Sequence, residues 1–242
     1  MIYFWFILFA SSFVASPIFA QTMSIDLGSG GSNTAKLFQL VAVIAFLGLA
    51  PSLLVMTTSF TRITVVLSFL RSGLGLQQSP PNVVLIGLSL FLTFFIMEPV
   101  FQIAYQDGIK PIMEEKIDEI EGLAKVAAPF KQFMLKCTRE KDLGLFLDLA
   151  KIDKPPTPEE TPFRVVVPAF MISELKRAFE IGFLLFIPFL VIDMVVSSIL
   201  MSLGMMMLPP VMISLPFKLI FFVLVDGWHM IVGSLVKSYP GS

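Results

Sequence analysis

The chain has 242 residues, of which 56% are apolar and 14% are charged, whereas a soluble domain of average composition carries about 25% charged residues. Residues 106–164 contain 10 of the 17 basic and 12 of the 18 acidic side chains. The apolar excess, the net charge of −1 and the single cysteine exclude a disordered protein, a nucleic-acid-binding protein and a disulfide scaffold. This composition indicates an integral membrane protein with one polar insert.

The amino-terminal residues 1–20 are almost wholly apolar and end in Pro17-Ile18-Phe19-Ala20. A short apolar stretch followed by a helix breaker and a small residue is typical of a secretory signal peptide. No Lys or Arg precedes this stretch, so a retained first transmembrane helix is the alternative. Residues 21–36 include the polar run Gly28–Asn33, which predicts a flexible mature amino terminus.

Four apolar runs follow, each long enough to cross a bilayer at about 1.5 Å per residue: Leu37–Thr61, Ser72–Met97, Ile181–Leu203 and Val211–Val236. Prolines lie within the runs or at their ends, so the helices are expected to be kinked or broken. The runs predict an all-α integral membrane protein of two helical hairpin pairs, 37–104 and 165–242. The positive-inside rule places the short Arg62–Asn82 connection in the cytoplasm and the polar insert outside it.

The polar insert, residues 105–164, is expected to be small and helical. Apolar residues recur at steps of three or four from Ile109 to Ala127, which predicts one amphipathic helix. A second helix is expected after Thr138, with the Thr138 hydroxyl as its cap. The proline-rich stretch 154–162 then forms a linker back to the membrane.

Four charged residues lie within or beside the apolar runs: Glu98, Asp193, Lys218 and Asp226. One ionised side chain at the centre of a membrane helix costs about 2.5–3.5 kcal/mol on insertion scales. Because three acids and one base do not balance, the arithmetic favours an oligomer or a water-filled passage that shelters these charges.

No nucleotide-binding loop, zinc cluster or nucleophile–base set occurs in the sequence, so neither a cofactor nor a metal is expected. The remaining enzymatic hypothesis is an intramembrane aspartyl protease that uses Asp193 and Asp226. Neither aspartate has the glycine-flanked GxGD context of those enzymes. The lone His229 is interpreted as a packed or interfacial residue rather than a proton relay, and Cys137 as an inert buried thiol.

The stretch 204–210, Gly-Met-Met-Met-Leu-Pro-Pro, is the most distinctive local feature. Methionine is flexible and polarizable, so it conforms to irregular partners. Three consecutive methionines cannot all face one packed side of a helix. The stretch is either an ordinary apolar hairpin turn or a deformable ring at the neck of a pore, supplied by several chains.

Several strings of this sequence resemble the FliP family of flagellar type III export-gate proteins. They include Met56–Ile63, Pro80–Leu88, Pro168–Phe170, Ser173–Lys176, Ile181–Phe183, Gly204–Lys218 and Val225–Trp228. The resemblance covers nearly everything after about residue 38. It implies a non-enzymatic core subunit of the export gate in the bacterial inner membrane, within the flagellar basal body, with its insert in the periplasm.

The resemblance also implies a homo-oligomer, a pentamer in that family, which assembles with FliQ-like and FliR-like membrane subunits and other export-apparatus proteins. Membrane lipid and unfolded flagellar export substrates are further partners that the resemblance implies, the substrates passing through the centre of a core that is drawn up toward the periplasmic side, and no nucleic acid is expected. The family's methionine gasket falls on Met205, Met206 and Met207. Contacts within or between subunits are expected from Glu98, Glu174, Lys176, Asp193, Lys218 and Asp226.

Two alternatives to the channel-lining subunit stay open. One is a structural nucleus for apparatus assembly that does not line the pore. The other is a secondary transporter, which would also have broken helices and midplane charges. A transporter should show two related halves, whereas the two hairpin pairs share no evident motif.

Overall fold

A computed structural model of the chain describes residues 55–153, 155–205 and 207–240, with scattered positions between 38 and 53. The chain divides into two units, Met1–Gly48 and Leu49–Ser242, and nearly all described residues belong to the second. The predicted signal peptide 1–20 and the segment 21–36 lie outside the described residues.

The second unit is built of helices. They are α1 Phe60–Gly73, α2 Asn82–Ala104, α3 Glu119–Cys137, α4 Glu140–Ala150, α5 Phe163–Ser202, α6 Pro210–Leu224 and α7 Gly227–Lys237. A π-helical turn, Tyr105–Ile109, and a single α-turn, Lys110–Met113, continue α2, and a 3₁₀ turn spans Pro158–Glu160. No strand occurs among the described residues, so the prediction of an all-α fold is confirmed over that part of the chain.

The core lies where α1 packs along α5, the most extensive helix contact of the unit. Ile63, Val66, Leu67 and Leu70 are fully buried, and their spacing of three and four residues places them on one face of α1. Most of the stretch expected to be a short connection, 62–82, is therefore a core helix. The backbones approach closely at Gly182, where a Cβ atom would lie 2.5 Å from the Phe69 ring.

Two helical segments are long and apolar enough to cross a membrane, Asn82–Met113 and Phe163–Ser202. A third span results if the pair α6 and α7, bent by 64° at Val225–Asp226, is counted as one. The 40 residues of α5 extend over about 60 Å, twice the roughly 30 Å of a hydrocarbon core. Only part of α5 can therefore lie in hydrocarbon, and its apolar half begins at Ile181.

The insert differs from the single amphipathic helix expected from Ile109 to Ala127. The helix stops at Met113, Glu115 adopts a positive φ of 54°, and α3 begins only at Glu119. The side chains of Met113 and Ile120, assigned to the apolar face, are exposed. Instead, α3 packs closely against the π-helical turn, where a Cβ on Gly108 would lie 3.1 Å from the Gly122 carbonyl oxygen.

Candidate functional site

The methionine-rich stretch forms the turn between α5 and α6. Gly204 has a φ of +73°, a left-handed conformation that glycine adopts without strain, and it ends the long helix. Pro210 starts α6, at the first helical position where proline is favoured. Met205 is 49% exposed and Met207 is 98% exposed, whereas Met206 lies outside the described residues. The turn thus presents flexible apolar side chains rather than packing them away.

A charged cluster joins the two helices below this turn. The Lys218 Nζ atom lies 2.6 Å from Asp193 Oδ2 and donates a second hydrogen bond, of 3.1 Å, to the carbonyl oxygen of Gly73. Ser214 Oγ donates to Asp193 Oδ1 at 2.5 Å. The Lys218 side chain is only 4% exposed and that of Asp193 is 32% exposed. The cluster therefore fixes α6 to α5 and to the end of α1.

A second ion pair is completely buried between α1 and α5. Arg62 Nε donates to Glu174 Oε2 at 2.9 Å, and Nη2 donates to Oε1. Arg62 Nη1 also donates to Ser238 Oγ at 3.0 Å, and the Tyr239 ring centroid lies 3.9 Å from the guanidinium carbon. Tyr239 Oη lies 3.0 Å from Glu174 Oε2. The polar groups of both side chains therefore have hydrogen-bond partners within the chain.

Burial dominates the protonation of two groups around this pair. It raises the pKa of Tyr239 well above its usual value, an effect to which the Glu174 carboxylate adds, so the tyrosine stays protonated and can donate. Burial likewise raises the pKa of the Cys137 thiol to about 12. A neutral, buried thiol is a poor nucleophile, in keeping with the interpretation of Cys137 as inert.

The insert is attached to α5 by a third polar cluster. Ser173 Oγ donates to Asp142 Oδ2 at 2.5 Å, and Arg139 Nε donates to the same oxygen at 2.7 Å. Although burial raises the pKa of Asp142, these hydrogen bonds from Ser173 and Arg139 outweigh it and hold the value below its usual range. The helix after Thr138 begins as predicted, but the Thr138 hydroxyl donates to the Met134 carbonyl oxygen at 2.7 Å instead of capping it.

The other charges singled out in the sequence lie at the surface of the chain. Glu98 is exposed and accepts a 3.2 Å hydrogen bond from Gln102 Nε2. Lys176 Nζ pairs with Glu180 Oε1 at 3.1 Å, one helical turn further along α5. Asp226 is exposed at the bend between α6 and α7, with a φ of 49°, and its side chain forms no ion pair within the described part of the chain. His229 is exposed near this bend.

The charge arithmetic favoured an oligomer or a water-filled passage as shelter for these charges, and contacts were expected within or between subunits. Within the chain, Glu174 pairs with Arg62 of α1, and Asp193 pairs with Lys218, which also donates to the Gly73 carbonyl oxygen. Ser214 and Tyr239 were not among the candidate residues, because no local sequence signal indicates their contacts. No group of three or more His, Cys, Asp or Glu side chains that could hold a metal ion lies in the described residues.

Comparison with known proteins gives one consistent result. The model of the FliP family matches residues 43–235. The chain is 58% identical over 225 residues to the flagellar biosynthetic protein FliP of Caulobacter vibrioides, a region covering 93% of this chain and 85% of that relative. It is 54% identical to the protein of the same name from Bacillus subtilis, covering 90% and 99% of the two chains. The Aquifex aeolicus relative, also a flagellar biosynthetic protein FliP, is 51% identical over 93% and 95%.

Proposed function

The chain belongs to the FliP family, and from this premise we propose that it lines a closed protein-conducting channel for unfolded flagellar proteins. Membership makes the chain a membrane component of flagellar export and not an enzyme. The channel, its copy number and the parts played by single residues are our proposal. The main observation that supports the channel is the exposed methionine turn at the tip of the α5–α6 hairpin, which the Lys218–Asp193 ion pair holds together.

The geometry of the turn suits a deformable seal. Met207 is 98% exposed, and burying a methionine side chain contributes about 1.5–3 kcal/mol relative to leaving it in water. A turn that exposes such a side chain gains stability by meeting copies of itself. Met205, Met206 and Met207 from several subunits would close the lumen and yield around a passing chain, because methionine adapts to irregular surfaces.

A seal also needs a firm support, which the cluster of Asp193, Ser214 and Lys218 supplies. It joins α5 and α6 two to three helical turns below the methionines and connects both helices to α1 through Gly73. The turn can therefore deform while the helices that bear it stay in register.

Glu98 and Asp226 are the charges left for contacts outside the chain. Both are exposed: Glu98 lies in α2, and Asp226 lies at the bend between α6 and α7, and both stretches are otherwise apolar enough to span a membrane. We propose that they face neighbouring subunits or the aqueous lumen, and that the exposed Lys176–Glu180 pair lies close to such an interface. The homo-oligomer, a pentamer in this proposal, would assemble with FliQ-like and FliR-like subunits in the bacterial inner membrane, with the insert in the periplasm.

The test replaces Met205, Met206 and Met207 by alanine in the assembled complex and measures the permeability of proteoliposomes to a small dye. Permeability is expected to rise while assembly persists. The matched control is Met113→Ala, since Met113 is exposed to a similar degree but lies in the insert. Unchanged permeability in a correctly assembled gate would contradict the gasket.

A photo-crosslinking residue at Met205 or Met207 separates the channel from a purely structural nucleus. A stalled export substrate is expected to crosslink at these two positions and not at Met113. Assembly without any substrate crosslink would favour the structural nucleus. Uptake of a small solute against a gradient would favour the secondary transporter.

A further inference from the structure

An apolar groove runs along the outer side of the contact between α1 and α5. Its volume is about 440 Å³, and its walls are Phe69 of α1 with Phe179, Phe183, Phe186, Ile187 and Leu190 of α5. Gly182 forms part of the floor. Four of these side chains, those of Phe179, Phe183, Ile187 and Leu190, are exposed large hydrophobic groups.

The length and polarity of the groove suit a hydrocarbon chain. The eleven-residue interval from Phe179 to Leu190 corresponds to about 16 Å of helix, close to the roughly 15 Å of hydrocarbon in one leaflet. All the side chains that line the groove over this length are apolar.

The polar end of the groove lies where α5 passes from charged to apolar sequence. Lys176 precedes Phe179 by three residues and so lies on the same helix face. Its Nζ atom is 3.1 Å from Glu180 Oε1, and both side chains are largely exposed. The groove thus begins at a cation and an anion side by side and continues into a purely apolar wall.

We propose that this groove binds one acyl chain of a phospholipid with a primary-amine head group, of the phosphatidylethanolamine type. The lipid phosphate contacts Lys176, and the lipid ammonium donates hydrogen bonds to Glu180. An anionic head group would oppose the Glu180 carboxylate, and a choline head group has no N–H to donate. The site goes beyond the proposed channel, because it would be occupied whether or not the methionine turn seals a lumen.

The test uses the full-length chain in its membrane complex. The complex is equilibrated with vesicles of equal parts phosphatidylethanolamine, phosphatidylglycerol and phosphatidylcholine, extracted in mild detergent, and weighed by native mass spectrometry. The wild type is expected to retain phosphatidylethanolamine over either competitor by about fivefold or more. Leu190→Trp, which fills the groove, is expected to lower retained lipid about tenfold. Leu184→Trp, at an exposed position of α5 outside the groove, should leave retention unchanged.

The head-group contact is tested by Lys176→Gln combined with Glu180→Gln, which should abolish the preference among the three lipids while assembly persists. The exposed i,i+4 pair Glu121 and Lys125 of the insert provides the matched control, Glu121→Gln with Lys125→Gln, which should keep the preference. Equal retention of the three lipids by the wild type, or a preference that survives in the Lys176 and Glu180 variant, would overturn the proposal. Disulfide formation between two copies of a Leu190→Cys variant would also overturn it, because the groove would then be a subunit interface.

Discussion

The ion pair between Lys218 and Asp193 allows the support of the methionine turn to be tested one charge at a time. Lys218→Met keeps the length of the side chain and removes its ammonium group. Asp193 then retains its hydrogen bond from Ser214 and the hydration that its 32% exposure allows. Asp193→Leu leaves the opposite charge, an ammonium group only 4% exposed, with the Gly73 carbonyl oxygen as its remaining partner.

The loss of stability in each single variant depends on how deeply the remaining charged side chain is buried. Removing one partner of a buried pair costs about 3–5 kcal/mol, because the other charge is left uncompensated. We expect Asp193→Leu to fall in this range and Lys218→Met to cost about 2–3 kcal/mol, since Asp193 stays partly hydrated. The double variant should lie within about 1 kcal/mol of the wild type, because replacing a buried ion pair by apolar side chains is often nearly neutral.

Thermal unfolding of the detergent-solubilised chain measures these differences. For a chain of this size, a loss of 3 kcal/mol lowers the Tm by about 6–12 °C. The charge-swapped variant, Asp193→Lys with Lys218→Asp, is expected to recover only part of the loss, because the new carboxylate at position 218 would face the Gly73 carbonyl oxygen. Lys176→Met, at an exposed pair, should cost less than about 0.5 kcal/mol. Additive losses in the double variant would refute the reasoning, because they would mean that the two charges do not interact.

Three further predictions concern other parts of the fold. Gly182→Ala should destabilise the chain by about 1–3 kcal/mol, because the new Cβ would meet the Phe69 ring at 2.5 Å. Gly87→Ala, with no atom within 4 Å of its Cβ, should be neutral or stabilising by up to about 1 kcal/mol; equal Tm losses would contradict the close packing. The lowered pKa of Asp142 means that its stabilisation is present above about pH 4 and is lost as the pH falls through the folded-state value. Asp142→Asn should therefore reduce the loss of stability at acid pH. An unchanged loss would count against the contact of Asp142 with Ser173 and Arg139. Cys137, with its pKa raised to about 12, should react with a maleimide at pH 8 only as fast as the protein unfolds, and rapid labelling of the folded chain would disprove its burial.

The end of α5 and the start of α6, at the methionine turn, could be predicted from the sequence because both depend on local chemistry. Gly204 supplies the left-handed residue that ends a helix, and Pro210 supplies a favoured first helical residue. The apolar run Ile181–Leu203 accordingly ends within a residue of Ser202, the last residue of α5. In the insert, the spacing of apolar residues did not predict the structure. There α2 continues through a π-helical turn, and the backbones pack closely at Gly108 and Gly122 where periodicity had predicted an amphipathic helix.

By itself, the sequence determined that the chain is a helical membrane protein with a polar insert, because apolar length and charge distribution decide which segments can enter hydrocarbon. It also determined where the methionine turn lies. Only the tertiary structure decided how the charges are paired. Arg62 and Glu174 are 112 positions apart, and Lys218 meets the Gly73 carbonyl oxygen across 145. Pairing over such separations depends on which faces of the helices meet, and helix packing fixes those faces only after the chain has folded.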